Sequence, residues 1–156
     1  MTDHGGRIDI LAIDRAGDLF IVELKRDRTS RDIVAKIPDY ASWVATLRTP
    51  VIHEIAYQKL GRRLDRAFSE RFEPVLPGTL NANHGMTIVA SEFDASSQRI
   101  VEYLAEQHDL NINTAFFNIF DDGKGSQLLS SNWLLDQGDV KERSEARTRS
   151  PWTGVW

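Results

Sequence analysis

Three residues near the start of the chain have the types and spacing to do chemistry together: Asp9, Glu23 and Lys25, within the stretch GRIDILAIDRAGDLFIVELKRD. An ionised carboxylate among apolar residues is costly unless it is paired or holds a cation. RIDILAID and LFIVEL, separated by the turn residues AGD, read as a β-hairpin over Arg7 to Lys25. With the turn near Ala16 to Asp18, Asp9 and Glu23 lie at matching distances from it and face each other across the pair. The period of two puts Glu23 and Lys25 on one face and Leu24 on the other.

Two carboxylates and an amine on one face suit hydrolysis. Hard oxygen ligands favour Mg²⁺, and a lysine beside the metal can orient or help deprotonate an attacking water. The alternative is an ion pair of Lys25 with Glu23 or Asp9 that neutralises the hairpin, and the residues alone leave both readings open.

The elements around this hairpin follow from pattern. Apolar positions Ile33, Val34, Ile37, Tyr40, Ala41, Val44 and Leu47 have the spacing of an amphipathic helix capped by Thr29 or Ser30, with Pro38 expected to kink or interrupt it. Residues 54–73 predict a second, basic helix with Gly61 as its weak point, and PVLPGTLNANHG predicts a loop. MTIVAS predicts a buried strand. A helix follows, capped by Asp94 or Ser96, and then a closing hairpin, INTAFFNIF and SQLLSSNWLL around DDGKG. The order β-β-α-α-β-α-β-β is that of a mixed α/β domain.

Composition narrows the function classes. The 156 residues contain no cysteine, which excludes disulfides, thiolate zinc sites and a cysteine nucleophile. No run approaches a membrane span and the start lacks a secretory signal, so a cytoplasmic protein with no membrane partner is expected. The net charge of −4 divides unevenly: −3 over residues 1–24, +5 over 25–71 and −6 over 72–156. A basic middle beside an acidic strand pair is either a polyanion-binding rim or a set of solvated helix faces.

GRIDIL followed by VELK resembles the PD-(D/E)xK nuclease superfamily, in particular the NucS-type endonuclease catalytic domain. The resemblance covers residues 5–44, and MTIVAS is consistent with that family's fourth core strand. It implies a restriction-endonuclease-like α/β core, with a mixed central sheet flanked by helices, over residues 1–135. Residues 136–156 are then a polar tail or linker. It also implies Mg²⁺- or Mn²⁺-dependent hydrolysis of DNA phosphodiesters, with Asp9, Glu23 and the Leu24 carbonyl as metal ligands and Lys25 as the catalytic lysine. Tyr40 matches the family's helix tyrosine, while Lys36 stands where the family usually has Gln. Both are expected to support the site. Arg26, Arg28 and Arg31 are placed to contact phosphates at its edge. Enzymes of this type often pair two sites to cut two strands, which implies a homodimer. An N-terminal core helix carrying a further acid is missing before Asp9, so the chain reads as part of something longer. That departure and Lys36 define the alternative, a nuclease-fold protein that binds nucleic acid or a protein partner without cutting.

Other motifs carry less. His4, His53, His84 and His108 lack metal spacing, and DDGKG lacks the remaining acids of a calcium loop. No G-x-S-x-G elbow occurs. Trp43, Phe116, Phe117 and Trp133 fit core positions. Lys59, Arg62, Arg63 and Arg66 are candidates to extend a phosphate track.

Overall fold

The computed structural model describes residues 8–25 and 31–149, with backbone only at 31–35, 37 and 147–149. Five strands form one sheet in chain order: β1 (Ile10–Ile13), β2 (Leu19–Leu24), β3 (Gly85–Ala90), β4 (Ile112–Asp121) and β5 (Gln127–Trp133). The outer pairs β1·β2 and β4·β5 are antiparallel, and β2·β3 and β3·β4 are parallel. Parallel neighbours need crossovers. The first is made by α1 (Arg31–Thr46), α2 (Thr49–Leu60) and α3 (Leu64–Arg71), and the second by α4 (Ala95–Gln107). The chain is therefore a mixed α/β sheet with helices, as the pattern predicts.

The hairpin forms because its turn is built for it. Asp14 Oδ1 accepts from the amides of Ala16 at 2.8 Å and Asp18 at 3.0 Å, and Gly17 takes the left-handed conformation at φ 84°. Ile10 then lies opposite Val22 and Ile13 opposite Leu19. Along β2, Leu19, Ile21 and Glu23 are buried while Leu24 is exposed. The same face that fills the core thus carries the acid.

α1 packs against β2, β3 and α4, and contributes Tyr40 and Val44, with Leu47 just past its end, to a core with Ile21, Ile88 and Val101. Pro38 does not interrupt it: the helix runs unbroken through that position. Pro38 is exposed, so the hydrogen bond it cannot make is lost on the side open to water. The basic segment departs from the single helix expected over 54–73. α2 starts earlier, with Pro50 in its first turn, and stops at Gly61, whose φ of 65° lets its amide cap Tyr57 O at 2.9 Å. α3 then buries Leu64 and Phe68.

Two other differences concern the second half. The segment read as a polar tail contains α5 (Gln137–Arg149), opened by Asp136 Oδ1 accepting from the amides of Gly138 and Asp139. Val140 and Ser144 are buried, and Lys141 Nζ lies 3.7 Å from Asp14 in the hairpin turn. With one large apolar residue on its inner side, this helix offers little periodic signal. The closing hairpin forms as predicted, but Phe117 and Trp133 are not core residues: 37% and 39% of their surfaces are exposed, because this hairpin runs past the body of the sheet. Trp43 does pack partly against the core.

Register can be tested at Gly85, which lies opposite Phe20. A Cβ there would collide with the Phe20 ring and come within 2.7 Å of Asn111 Nδ2. Gly85→Ala should therefore cost about 1–3 kcal/mol in a denaturant titration, whereas unchanged stability would contradict this pairing.

Candidate active site at the end of the first hairpin

Glu23 is the last buried residue of β2, only 6% exposed although it is ionisable. Its Oε1 lies 3.5 Å from Lys25 Nζ. Its Oε2 is buried and has no hydrogen-bond partner among the described residues. A carboxylate oxygen in that position normally has a donor, so this atom is the anomaly of the site. A purely neutralising ion pair with Lys25 accounts for one oxygen and leaves the other unexplained.

Asp9 stands one step beyond the last ladder pair, on the side of Glu23, and is exposed. Its expected place inside β1 is corrected by one residue. The carboxylate, not the backbone, meets the neighbouring strand: Asp9 Oδ2 accepts from the Leu24 amide at 2.9 Å. That bond holds Asp9 alongside Glu23 at the end of the hairpin, next to Leu24, which has 47% of its surface exposed.

The charge balance at Glu23 follows from this geometry. Burial is the largest influence and raises its pKa, and the adjacent Asp9 charge raises it further. Lys25 and, more weakly, Lys36 oppose the rise. Lys36, exposed on α1, is thus brought within electrostatic reach of the acids, and Tyr40, one helical turn later, is buried in the core. The structure gathers Asp9, Glu23, Leu24 and Lys25 at one end of β2, with Lys36 and Tyr40 on the helix packed against it.

Among the described residues no group of three or more His, Cys, Asp or Glu converges. A divalent cation here would have two carboxylates as side-chain ligands, and the orphaned Glu23 oxygen beside Asp9 is a donor set of the hard type that suits Mg²⁺ or Mn²⁺. Comparison with family models, curated proteins and solved structures finds no match. The functional reading rests on the geometry of these residues.

Arg26 and Arg28 lie outside the described residues, and Arg31 is described only as the backbone start of α1. The proposed extension of a phosphate track is weakened by pairing: Arg62 and Arg66 bond Glu70, and Arg63 Nη2 lies 2.8 Å from Asp65. Those guanidinium groups are already engaged with acids of their own segment.

A second polar cluster, at the opposite end of β2, was not legible from spacing. The loop before β3 folds back on the hairpin turn, with the Asn81 amide donating to Gly17 O at 2.9 Å and the Asn83 amide to Asp18 Oδ1 at 2.7 Å. His84 is half-buried there beside a cleft of about 430 Å³. Its ring nitrogens had no partner pattern in sequence, so only the loop's path reveals its surroundings. Burial lowers the His84 pKa, partly offset by Asp18, and burial raises that of Asp18.

Two outcomes follow. Because the folded pKa of Glu23 is raised, its ionised form weakens the fold as pH rises through that value. Glu23→Gln should therefore keep or increase the melting temperature at pH 7.5, and a fall of several degrees would show that the acid serves as a stabilising ion pair. For His84 the folded pKa is lowered, so stability present above about pH 6.5 is lost as pH falls through the folded value. His84→Gln should flatten the decline of melting temperature between pH 7 and 5, and parallel curves for the two proteins would contradict the burial of a neutral imidazole.

Proposed function

We propose that the chain is a metal-dependent nuclease that hydrolyses DNA phosphodiesters, built on a restriction-endonuclease-like core. The observation that carries this reading is the buried, unpartnered Oε2 of Glu23, flanked by Asp9 and by Lys25. Asp9, Glu23 and the Leu24 carbonyl would hold Mg²⁺ or Mn²⁺, which supplies positive charge for the phosphoryl oxygens and a more acidic water. Lys25, its side chain two-thirds buried and its Nζ 3.5 Å from Glu23 Oε1, would orient the attacking water and stabilise charge on the phosphate. Lys36 adds a second ammonium on the helix side, where a Gln would contribute only an amide dipole, and Tyr40 packs the helix that carries it.

A second reading draws on Lys36 itself. A second cation near Glu23 offsets the acids without a metal, which suits a nuclease-fold protein that binds nucleic acid or a protein partner and does not cut.

Cleavage of supercoiled plasmid and branched DNA with Mg²⁺ or Mn²⁺ separates the two. The nuclease reading predicts cleavage by the natural chain and a loss of at least about 10²-fold in Lys25→Ala, with Asp9→Asn similarly impaired. Unchanged cleavage in Lys25→Ala would overturn the assigned roles, and DNA binding without any cleavage would favour the second reading.

A further inference from the structure

The closing hairpin changes character along its length. The first four residues of β4, Ile112 to Ala115, are buried, while Phe117 to Asp121 and every residue of β5 are exposed. The exposed part nevertheless carries large apolar side chains. Phe117, Ile119, Leu129 and Trp133 share one face by the register, and Phe120 and Leu128 lie on the other. Ile119, Leu128 and Leu129 are 64–68% exposed. Divided between the two faces, these six leave on the order of 400 Å² of apolar surface on the first and on the order of 200 Å² on the second, each below the roughly 800 Å² that each partner contributes to a standard interface, so the strand edge itself must supply part of any contact.

The free edge of the sheet runs along the same element. β5, QLLSSNW, contains no charged residue and no proline, and these are the devices that keep an edge strand from pairing. Among the described residues the sheet ends at β5, so its outward amides and carbonyls have no strand beside them there.

We propose that this edge pairs antiparallel with the same strand of a second copy of the chain, joining two arms about a two-fold axis. Full-length pairing of a seven-residue strand with itself puts the axis at its fourth residue, Ser130. Leu129 then lies opposite the partner copy's position 131 and diagonal to its position 129, and no like charges meet. The neutral strand is self-complementary, which favours a second copy over an unrelated partner of opposite charge.

Arm geometry supplies the rest of the contact. Antiparallel pairing brings each tip, where Ile119, Phe120 and Leu128 are exposed, beside the base of the other arm. That base is rigid, because Asn113 on β4 bonds both the amide and the carbonyl of Leu135. It also carries a concavity of about 550 Å³ lined by Trp133 to Gly138. The exposed tip of one copy and the recess at the base of the other are thus complementary elements of one surface. The inference stands independently of the chemistry at Glu23.

The chain lacks cysteine, so single substitutions report the geometry directly. Ser130→Cys should form an inter-copy disulfide under mild oxidation, since directly opposed residues have Cα atoms about 4.5–5.5 Å apart. Asn132→Cys should not, because its own copy lies four residues further along the strand, about 14 Å away. Sedimentation velocity at about 50 µM should show a dimer, and Leu129→Lys should weaken it by at least about tenfold with an unchanged circular dichroism spectrum. A monomer at that concentration, a dimer unaffected by Leu129→Lys, or equal cross-linking at positions 130 and 132 would each overturn the proposal.

Discussion

The central constraint in this molecule is the burial of Glu23 at the end of a strand whose preceding inward positions are aliphatic. Leu19 and Ile21 direct that face of β2 into the core, and the same alternation carries Glu23 inward with them. The groups around the acid act on its charge in both directions. Lys25 approaches one oxygen, Asp9 is fixed alongside by the Leu24 amide, and α1 brings Lys36 within electrostatic reach. The net effect is a raised pKa for Glu23, so its ionised form costs the fold stability instead of adding to it.

Much of this was legible because it depends on local rules. The turn chemistry of Asp14 to Asp18 and the period of the flanking strands set which residues of β2 point inward. Asp94 as the cap of α4 and DDGKG as the turn between β4 and β5 follow from the same kind of short-range chemistry. Asp9 falls opposite Glu23 as the turn distances predict but one residue outside β1, since a side chain that substitutes for backbone at the end of a ladder leaves no mark on an alternation pattern. The single helix expected over 54–73 broke where glycine could adopt a positive φ, at the weak point the sequence itself contains.

What was not legible depends on long-range contact. Nothing in the spacing of His84 shows that its loop straps the hairpin turn, with Asn81 reaching Gly17 and Asn83 reaching Asp18. α5 was hidden for the same reason: its inner side is held by Val140, Ser144 and a lysine to the turn aspartate, not by an apolar stripe. Phe117 and Trp133 have the residue types of a core, yet they belong to an arm that leaves it. Whether an aromatic residue on a strand is covered is decided by how far the neighbouring helices extend, and that is a property of the whole fold.

The most direct test of the central claim is a crystal of the chain soaked in Mn²⁺ and measured for anomalous scattering. The proposed site predicts one strong peak bound by the Glu23 Oε2 that is otherwise without a partner and by Asp9, with Lys25 beside it. A map with no peak at millimolar Mn²⁺, and Glu23 still held only by Lys25, would contradict it.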